Sequence, residues 1–298
     1  MTKPCLPPHS GFAPVRFTVP AGACDSHAHV FGPYDRFPLS EDRSYTPPEN
    51  GAERFIAHLD RLGLTRGVLV TASAQGDDNR NVLQALAAYP ERLRAVAVIR
   101  GDISDKDLDA LAGQGVRGAR FNLYKHDGKA VYRNGVGIDD FVALAPRLKA
   151  RGMHAQIWIH APDLQELAPT LLATGVDLVV DHQGRMNASR GVGDPGFQFL
   201  CKLLAEGKAW TKISGADRNT AVGSPFADIA PFATSLLKAN SERVVWGTDW
   251  PHINYYDAAH VPDDGILLNL LADWMPDEAT RKRVLVDNPA RLYGFGAV

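Results

Sequence analysis

The sequence has few cysteines, no long apolar run and no excess of charge of one sign. Its three cysteines, Cys5, Cys24 and Cys201, are odd in number and irregularly spaced, which argues against a disulfide framework. No segment approaches the ~20 apolar residues that a membrane-spanning helix needs. The first twenty residues contain several prolines and lack the apolar stretch of a signal peptide. We therefore expect a cytoplasmic protein with no membrane partner.

Charge and size indicate the kind of partner. There are 32 Lys and Arg residues against 34 Asp and Glu residues, and the basic residues are scattered along the chain. This distribution is not typical of nucleic-acid binding, so we expect small-molecule partners. A chain of 298 residues that is 45% hydrophobic can bury one large core. Nothing in the composition indicates an oligomeric state.

Short apolar runs alternate with amphipathic stretches, which is the pattern of βα units around a parallel sheet. The spacing of about thirty residues per unit predicts an α/β fold, a (βα)8 TIM-like barrel. We predict strands at residues 23–30, 67–71, 95–100, 116–121, 154–160, 177–181, 210–213 and 244–248. Helices are predicted at residues 53–62, 79–88, 106–112, 139–150, 164–173 and 226–239.

The predicted organisation is a Pro-rich N-terminal arm over residues 1–19 and one barrel over residues 20–298. Three long connections follow predicted strands, at residues 32–51, 122–137 and 252–265. In this fold the loops after the strands build the active site. We expect these three loops to cover a substrate.

The strongest chemical signal is a His-x-His pair in residues 25–29, which read DSHAH. Side chains two apart on a strand share a face, so His27 and His29 are predicted to point together toward the barrel axis. Three further predicted strands end with His160, His182 and Asp249. Because the carboxyl ends of barrel strands share one mouth, we expect these five side chains to meet there.

Four segments carry a resemblance to a known family. They are residues 25–33 (DSHAHVFGP), 120–122 (RFN), 181–185 (DHQGR) and 246–252 (WGTDWPH). As a set, over residues 20–293, the chain resembles the lactonase branch of the amidohydrolase superfamily, which includes 2-pyrone-4,6-dicarboxylate lactonases and 4-sulfomuconolactone hydrolases. The resemblance implies a catalytic set of His27, His29, His182 and Asp249. It also implies that the substrate's carbonyl or acidic groups are bound by Ser73, Arg120 and Arg218.

Two departures from the pyrone dicarboxylate lactonases bear on the substrate. Residues 120–126 read RFNLYKH, so a second arginine is missing and Lys125 or His126 is left to bind the second acidic group. His160 stands where metal-dependent members carry a zinc ligand. Both departures favour 4-sulfomuconolactone, and Trp158 is a further expected substrate contact. The implied metal ligands are His27, His29, His160 and Asp249, with Zn²⁺ as the expected ion.

Lactone opening needs an activated water, a polarised carbonyl and a proton for the departing oxygen. We expect Asp249 to shuttle the proton and His182 to polarise the carbonyl. Without a metal, Asp249 acts as general base and the histidines donate hydrogen bonds. Three alternatives stay open: an acidic sugar lactonase, a non-oxidative decarboxylase of the same superfamily, and a ligand-binding barrel without catalysis.

Overall fold

The computed structural model describes residues 2–126, 129–130 and 136–296. Its strands, numbered in chain order, are β1 Cys24–Ala28, β2 Arg66–Val70, β3 Leu93–Ala97, β4 Val116–Asn122, β5 Lys125–His126, β6 Lys129–Ala130, β7 His154–Trp158, β8 Leu178–Val180, β9 Ala209–Lys212 and β10 Val244–Val245. Eight of them form one parallel sheet in the order β1-β2-β3-β4-β7-β8-β9-β10, whereas β5 and β6 form a small antiparallel hairpin in the connection after β4.

The α-helices are α1 Ala52–Leu62, α2 Arg80–Ala88, α3 Asp105–Gly113, α4 Ile138–Lys149, α5 Ala161–Leu172, α6 Pro195–Ala205, α7 Ala216–Asn219, α8 Ala230–Asn240, α9 Asp264–Trp274, α10 Glu278–Lys282 and α11 Asn288–Tyr293. A π-helical stretch, Arg283–Asp287, joins the last two. Most strands are followed by a helix, as expected for βα units.

The sheet closes on itself between its first and last strands. Ser26 donates its backbone N–H to the carbonyl of Trp246 at 2.8 Å, and Asp249 donates to the carbonyl of His27 at 2.8 Å. The carboxylate of Asp25 adds a second connection, because it accepts hydrogen bonds from the backbone and hydroxyl of Thr248. The predicted TIM-like barrel is therefore confirmed.

All eight predicted strands are present, although several end earlier than predicted. The fifth was predicted to reach residue 160, but β7 ends at Trp158 and His160 lies at the N-cap of α5. The eighth was predicted over residues 244–248, but regular pairing with β9 stops at Val245. Beyond that point the chain continues alongside β1, where hydrogen bonds to the Asp25 carboxylate take the place of regular strand pairing.

Apolar side chains fill two layers. The larger core lies between the helices and the sheet, and includes Phe55, Phe121 and Phe197. A second cluster joins strand residues such as Trp210 to Tyr293 and Phe295. The ring of Tyr293 contacts His154, the first residue of β7. This second cluster therefore fills the amino-terminal end of the barrel and leaves the opposite end for a site.

The predicted arm packs along the loop between β10 and α9. The backbone N–H of Leu6 donates to the carbonyl of Tyr255 at 2.8 Å, and that of Ala13 donates to the carboxylate of Asp263 at 3.0 Å. Gly265 leaves no room for a side chain, since a Cβ there would overlap the carbonyl of Ala13. Within the described ranges, no helix has both the length and the apolar character needed to cross a membrane.

Candidate active site

Three imidazoles and one carboxylate converge at the carboxyl ends of the strands. Oδ1 of Asp249 lies 3.3 Å from Nε2 of His29, 3.7 Å from Nε2 of His27 and 3.9 Å from Nε2 of His182. All four side chains are buried. They come from the end of β1 and from the segments after β8 and β10. The structure thus brings together the four residues that the sequence predicts as catalytic.

Left-handed backbone directs two of these side chains into the mouth of the barrel. After β8, His182, Gln183, Gly184 and Arg185 have φ angles of 50°, 57°, 68° and 51°, and Asp249 has a φ of 67°. Residues other than glycine rarely adopt positive φ, and the strain that this implies is typical of functional sites. The turn after β8 places both His182 and Arg185 on the wall of one cavity.

The hydrogen bonding of His29 indicates that the cluster suits a cation. Its Nδ1 lies 2.7 Å from the carbonyl oxygen of Val70, which can only accept, so Nδ1 carries the hydrogen. In a neutral ring, Nε2 then presents a lone pair to Oδ1 of Asp249, 3.3 Å away. Two acceptors at this distance need a proton or a metal ion between them.

The spacing of the donor atoms leads to the same conclusion. His27, His29 and Asp249 offer three ligand atoms that lie within 4.8 Å of one another. Zn–N bonds of ~2.0 Å in a tetrahedron imply neighbouring ligands ~3.3 Å apart, close to the distances in the cluster. The buried cluster is therefore compatible with a metal site.

A cavity of ≈ 240 Å³ opens onto this cluster. Its volume is suited to a ligand with a single small ring. His29, His182 and Asp249 form part of its wall, and three arginines give it positive charge. The other lining residues are Tyr45, Ala72, Ser73, Arg120, Tyr124, Trp158, Arg185, Arg218, Ile253 and Asn254.

Four predicted substrate contacts lie on this wall: Ser73, Arg120, Trp158 and Arg218. The Ser73 hydroxyl donates a hydrogen bond to the phenol of Tyr45 at 3.2 Å. Arg120 is 7% exposed, and its Nε has no hydrogen-bond partner among the residues that the structure describes. A buried charged group with an unsatisfied donor is energetically costly, so an anionic ligand is expected beside this guanidinium.

Arg218 contacts the carboxylate of Asp249 directly. Its Nε donates to Oδ2 of Asp249 at 2.8 Å, and its Nη2 donates to the carbonyl of Ile253 at 2.9 Å. The guanidinium also lies over the ring of Tyr255, whose hydroxyl donates to the carboxylate of Asp217 at 2.5 Å. One oxygen of Asp249 is thus fixed by Arg218, while the other faces the histidines.

The charges of these groups at neutral pH follow from their surroundings. Burial raises the pKa of Asp249, but Arg218 and the nearby histidines outweigh burial and hold that pKa well below its usual range. Burial lowers the pKa of His182 to about 4 and that of His27 well below the usual value. Near pH 7 Asp249 is therefore a carboxylate anion, and His27 and His182 are neutral imidazoles.

The structure does not bring every predicted residue to the cluster. His160 is only half-buried, and its ring packs edge-on against Tyr124 with centroids 5.9 Å apart. Trp158 takes the last inward position of β7 and lines the cavity, so the chain has already turned into α5 when it reaches His160. Lys125 is exposed and does not line the cavity. The side chain of His126 lies outside the described part of the chain.

Other residues of the site were not identified from the sequence. Tyr45 lies in a predicted loop, where a single aromatic residue carries no signal. Lys212 lies in a predicted strand and Arg185 follows one, as other basic residues do, and the sequence does not distinguish them from those residues. Asp181 stands next to His182, and its carboxylate lies 3.3 Å from Nδ1 of His27. Only the closure of the barrel shows that these side chains are neighbours.

Comparisons with known proteins indicate the family. The amidohydrolase family matches residues 24–295. The chain is 38% identical over 293 residues to 4-sulfomuconolactone hydrolase from Rhizobium radiobacter, covering 98% of this chain and 96% of that protein. It is 37% identical over 287 residues to 2-pyrone-4,6-dicarboxylate hydrolase from Comamonas testosteroni, covering 93% of this chain and 92% of that protein.

A solved structure extends the similarity to the fold. It is the crystal structure of a probable 2-pyrone-4,6-dicarboxylic acid hydrolase from Acinetobacter baumannii with citric acid bound, and it superposes with a TM-score of 0.79 at 28% identity. The match covers 92% of this chain and 100% of that chain. The protein therefore belongs to the amidohydrolase family.

Proposed function

We propose that this protein hydrolyses a small anionic lactone, with 4-sulfomuconolactone as the first candidate and 2-pyrone-4,6-dicarboxylate as the second. The proposal is carried by one observation: a buried carboxylate, Asp249, faces neutral imidazoles at the base of a small cavity lined by Arg120, Arg185 and Arg218. The two curated relatives, which are named as hydrolases of these lactones, support the substrate class. The proposed setting is the degradation of aromatic compounds.

The residues of the chain suggest how the ester bond is opened. Oδ1 of Asp249 accepts a proton from the water that attacks the ester carbonyl, while Arg218 holds Oδ2. The bond between the carbonyl carbon and the ring oxygen then breaks, and Asp249 returns the proton to that oxygen. His182 stabilises the charge that develops on the carbonyl oxygen, and Arg120 binds an acidic group of the lactone.

We also propose a divalent metal ion, Zn²⁺ first, held by His27, His29 and Asp249. His160 is left out of this set because its ring lies against Tyr124 rather than beside the other ligands. When bound, the ion supplies a Lewis acid beside the ester carbonyl. Elemental analysis of the purified protein should find zinc in near-stoichiometric amount, and His29→Gln should lose it while His160→Gln keeps it. Zinc lost from the His160 variant alone would contradict this ligand set.

Turnover of the two lactones tests the function. The protein should open at least one of them, with release of a proton and without CO₂. Asp249→Asn should lower kcat by about 10²–10⁴-fold, because the amide cannot accept the proton of the water. Circular dichroism should show an unchanged fold, and Asp102→Asn, at an exposed position, should keep full activity.

Two results would count against the proposal. Evolution of CO₂ from a carboxylated substrate would favour the decarboxylase alternative. Saturable binding of both lactones without any turnover would favour a binding protein.

A further inference from the structure

Lys212 lies inside the barrel, beneath the catalytic cluster. Its side chain is completely buried, and its ammonium donates hydrogen bonds to the carbonyl of Ser26 at 3.0 Å and to Oε1 of Gln156 at 2.6 Å. Lys212 is not among the residues that line the cavity. It therefore cannot touch a substrate there, which excludes a direct role as nucleophile or anion ligand.

The neighbours of Lys212 fix its orientation. Nε2 of Gln156 donates to Oδ2 of Asp181 at 3.0 Å, so the amide oxygen of Gln156 faces the ammonium. The other carboxylate oxygen of Asp181 lies 3.4 Å from Nζ of Lys212. Within the described ranges, this Oδ1 makes no hydrogen bond of good geometry. For the third hydrogen of the ammonium, Nδ1 of His27 lies slightly nearer to Nζ than Oδ1 of Asp181 does.

Nδ1 of His27 lies 3.2 Å from Nζ of Lys212. An ammonium group has no acceptor, so this contact requires the imidazole Nδ1 to accept. In a neutral ring the hydrogen then resides on Nε2, which lies 3.7 Å from Oδ1 of Asp249 and has no hydrogen-bond partner among the described atoms. His29 has its hydrogen on Nδ1, so the two histidines of the His-x-His motif hold opposite tautomers.

We propose that Lys212 is a positioning residue that keeps the hydrogen of His27 on Nε2. His27 then directs the hydrogen on Nε2 toward Oδ1 of Asp249, whereas Nε2 of His29 presents a lone pair to the same oxygen. A metal ion that uses Nε2 of His27 as a ligand must first displace this hydrogen, so Lys212 weakens metal binding.

Asp181 offers the competing arrangement. Its Oδ1 lies 3.3 Å from Nδ1 of His27, and a histidine that donates to a carboxylate in this way is a better metal ligand. Removal of the ammonium should let Nδ1 carry the hydrogen and donate it to Asp181. This role of Lys212 rests on the proposed lactone hydrolysis. Because the tautomer of His27 is measured without substrate, the tautomer and the hydrolysis are tested separately.

Nitrogen NMR of the metal-free wild-type protein with ¹⁵N-labelled histidine measures the tautomer directly. The His27 signals are assigned by their loss in His27→Gln. We expect a protonated Nε2 and an unprotonated Nδ1 for His27, and the reverse for His29. A hydrogen on Nδ1 of His27 in the wild-type protein would overturn the proposal, whether or not any variant folds.

The variant Lys212→Met removes the ammonium and keeps a side chain of similar length in the buried site. Its affinity for Zn²⁺, measured by competition with a chromophoric chelator, should rise roughly tenfold, the size of effect typical of groups that orient metal ligands. The His27 signals should shift to the Nδ1-protonated pattern. Lys208→Met, at an exposed position before β9, should change neither property. An unchanged or weaker Zn²⁺ affinity in a folded Lys212→Met protein would refute the role.

Discussion

Asp249 uses its two carboxylate oxygens in different ways. Oδ2 is bound by Nε of Arg218, whereas Oδ1 lies near three imidazole Nε2 atoms. The ion pair fixes the side chain and also lowers the pKa of Asp249, against the effect of burial. In the proposed mechanism, Arg218 therefore acts by fixing the direction of Oδ1 rather than by making the carboxylate more basic.

This arrangement predicts the effect of Arg218→Lys. Lysine keeps the positive charge but lacks two donors of the planar guanidinium. One is Nε, which holds Oδ2 of Asp249, and the other is Nη2, which donates to the carbonyl of Ile253. We expect kcat to fall about tenfold or more, because small misplacements of a catalytic group are costly. Steady-state kinetics measures the change, with Arg54→Lys on the outer face of α1 as the control. A variant with wild-type kcat would show that the charge alone is enough.

At the scale of single elements, the loop between β10 and α9 is fixed by a buried ion pair. Nε2 of His252 donates to Oδ1 of Asp264 at 2.8 Å, and His58 lies 3.6 Å from the other oxygen. Burial lowers the pKa of His252, but Asp264 outweighs burial and raises it above the usual value. Burial lowers the pKa of His58. The pair connects the start of α9 to the loop that follows the catalytic carboxylate.

The direction of these shifts gives a pH dependence of stability. The pKa of His252 is raised in the folded state, so its charged form adds to the free energy of unfolding. This contribution is fully present below the unfolded-state pKa of about 6.5 and is lost as the pH rises through the folded-state pKa. The pKa of Asp264 is lowered, so its contribution is lost only as the pH falls through the acidic range. The lowered pKa of His58 acts in the opposite direction to His252 below about pH 6.5, and burial is a larger cause of that lowering than the charge of His252.

His252→Gln should therefore lower Tm more at about pH 5.5 than at about pH 8.5, since the charged pair is complete only at the lower value. A loss of ~1 kcal/mol corresponds to about 2–4 °C in a chain of this class. Thermal melts followed by circular dichroism measure the difference. His260→Gln is the control, because His260 is exposed and forms its ion pair with the exposed Asp257. Equal losses of Tm at both pH values would exclude a charged His252.

For the whole molecule, the arm connects two loops around the cavity. Cys5 donates its backbone N–H to the carbonyl of Thr46, and Leu6 donates to that of Tyr255. The side chain of Cys5 packs in one apolar cluster with Tyr45 and Ile253, both of which line the cavity. The arm thus supports the wall of the cavity, including loop residues that are far from the arm in the sequence.

Removal of residues 2–8 should raise KM several-fold and lower Tm, because the two loops around the cavity lose their connection. We expect a smaller change in kcat, because Asp249 makes no contact with this segment in the hydrogen bonds and ion pairs described. Kinetics on a lactone substrate and thermal melts measure both effects. Leu6→Ala keeps the backbone N–H and is the matched control. A truncated protein with an unchanged KM would show that the two loops hold their positions without the arm.

The local sequence determined a large part of this protein. Short apolar runs separated by amphipathic stretches predicted all eight barrel strands, because strands buried on both faces read as nearly continuous apolar runs. The placement of His27, His29, His182 and Asp249 at strand ends followed from the same pattern, since the carboxyl ends of parallel strands share one edge.

Only the tertiary structure decided the contacts between these strands. Trp158 rather than His160 takes the inward position of β7, because the strand ends before the histidine. Lys212 lies beneath His27, from which it is 185 positions away in the sequence, and Arg218 lies beside Asp249, 31 positions away. Both contacts depend on the register and closure of the barrel. Local sequence patterns determine which residues face the sheet interior. The distances between their polar atoms are determined by the packing of the complete barrel.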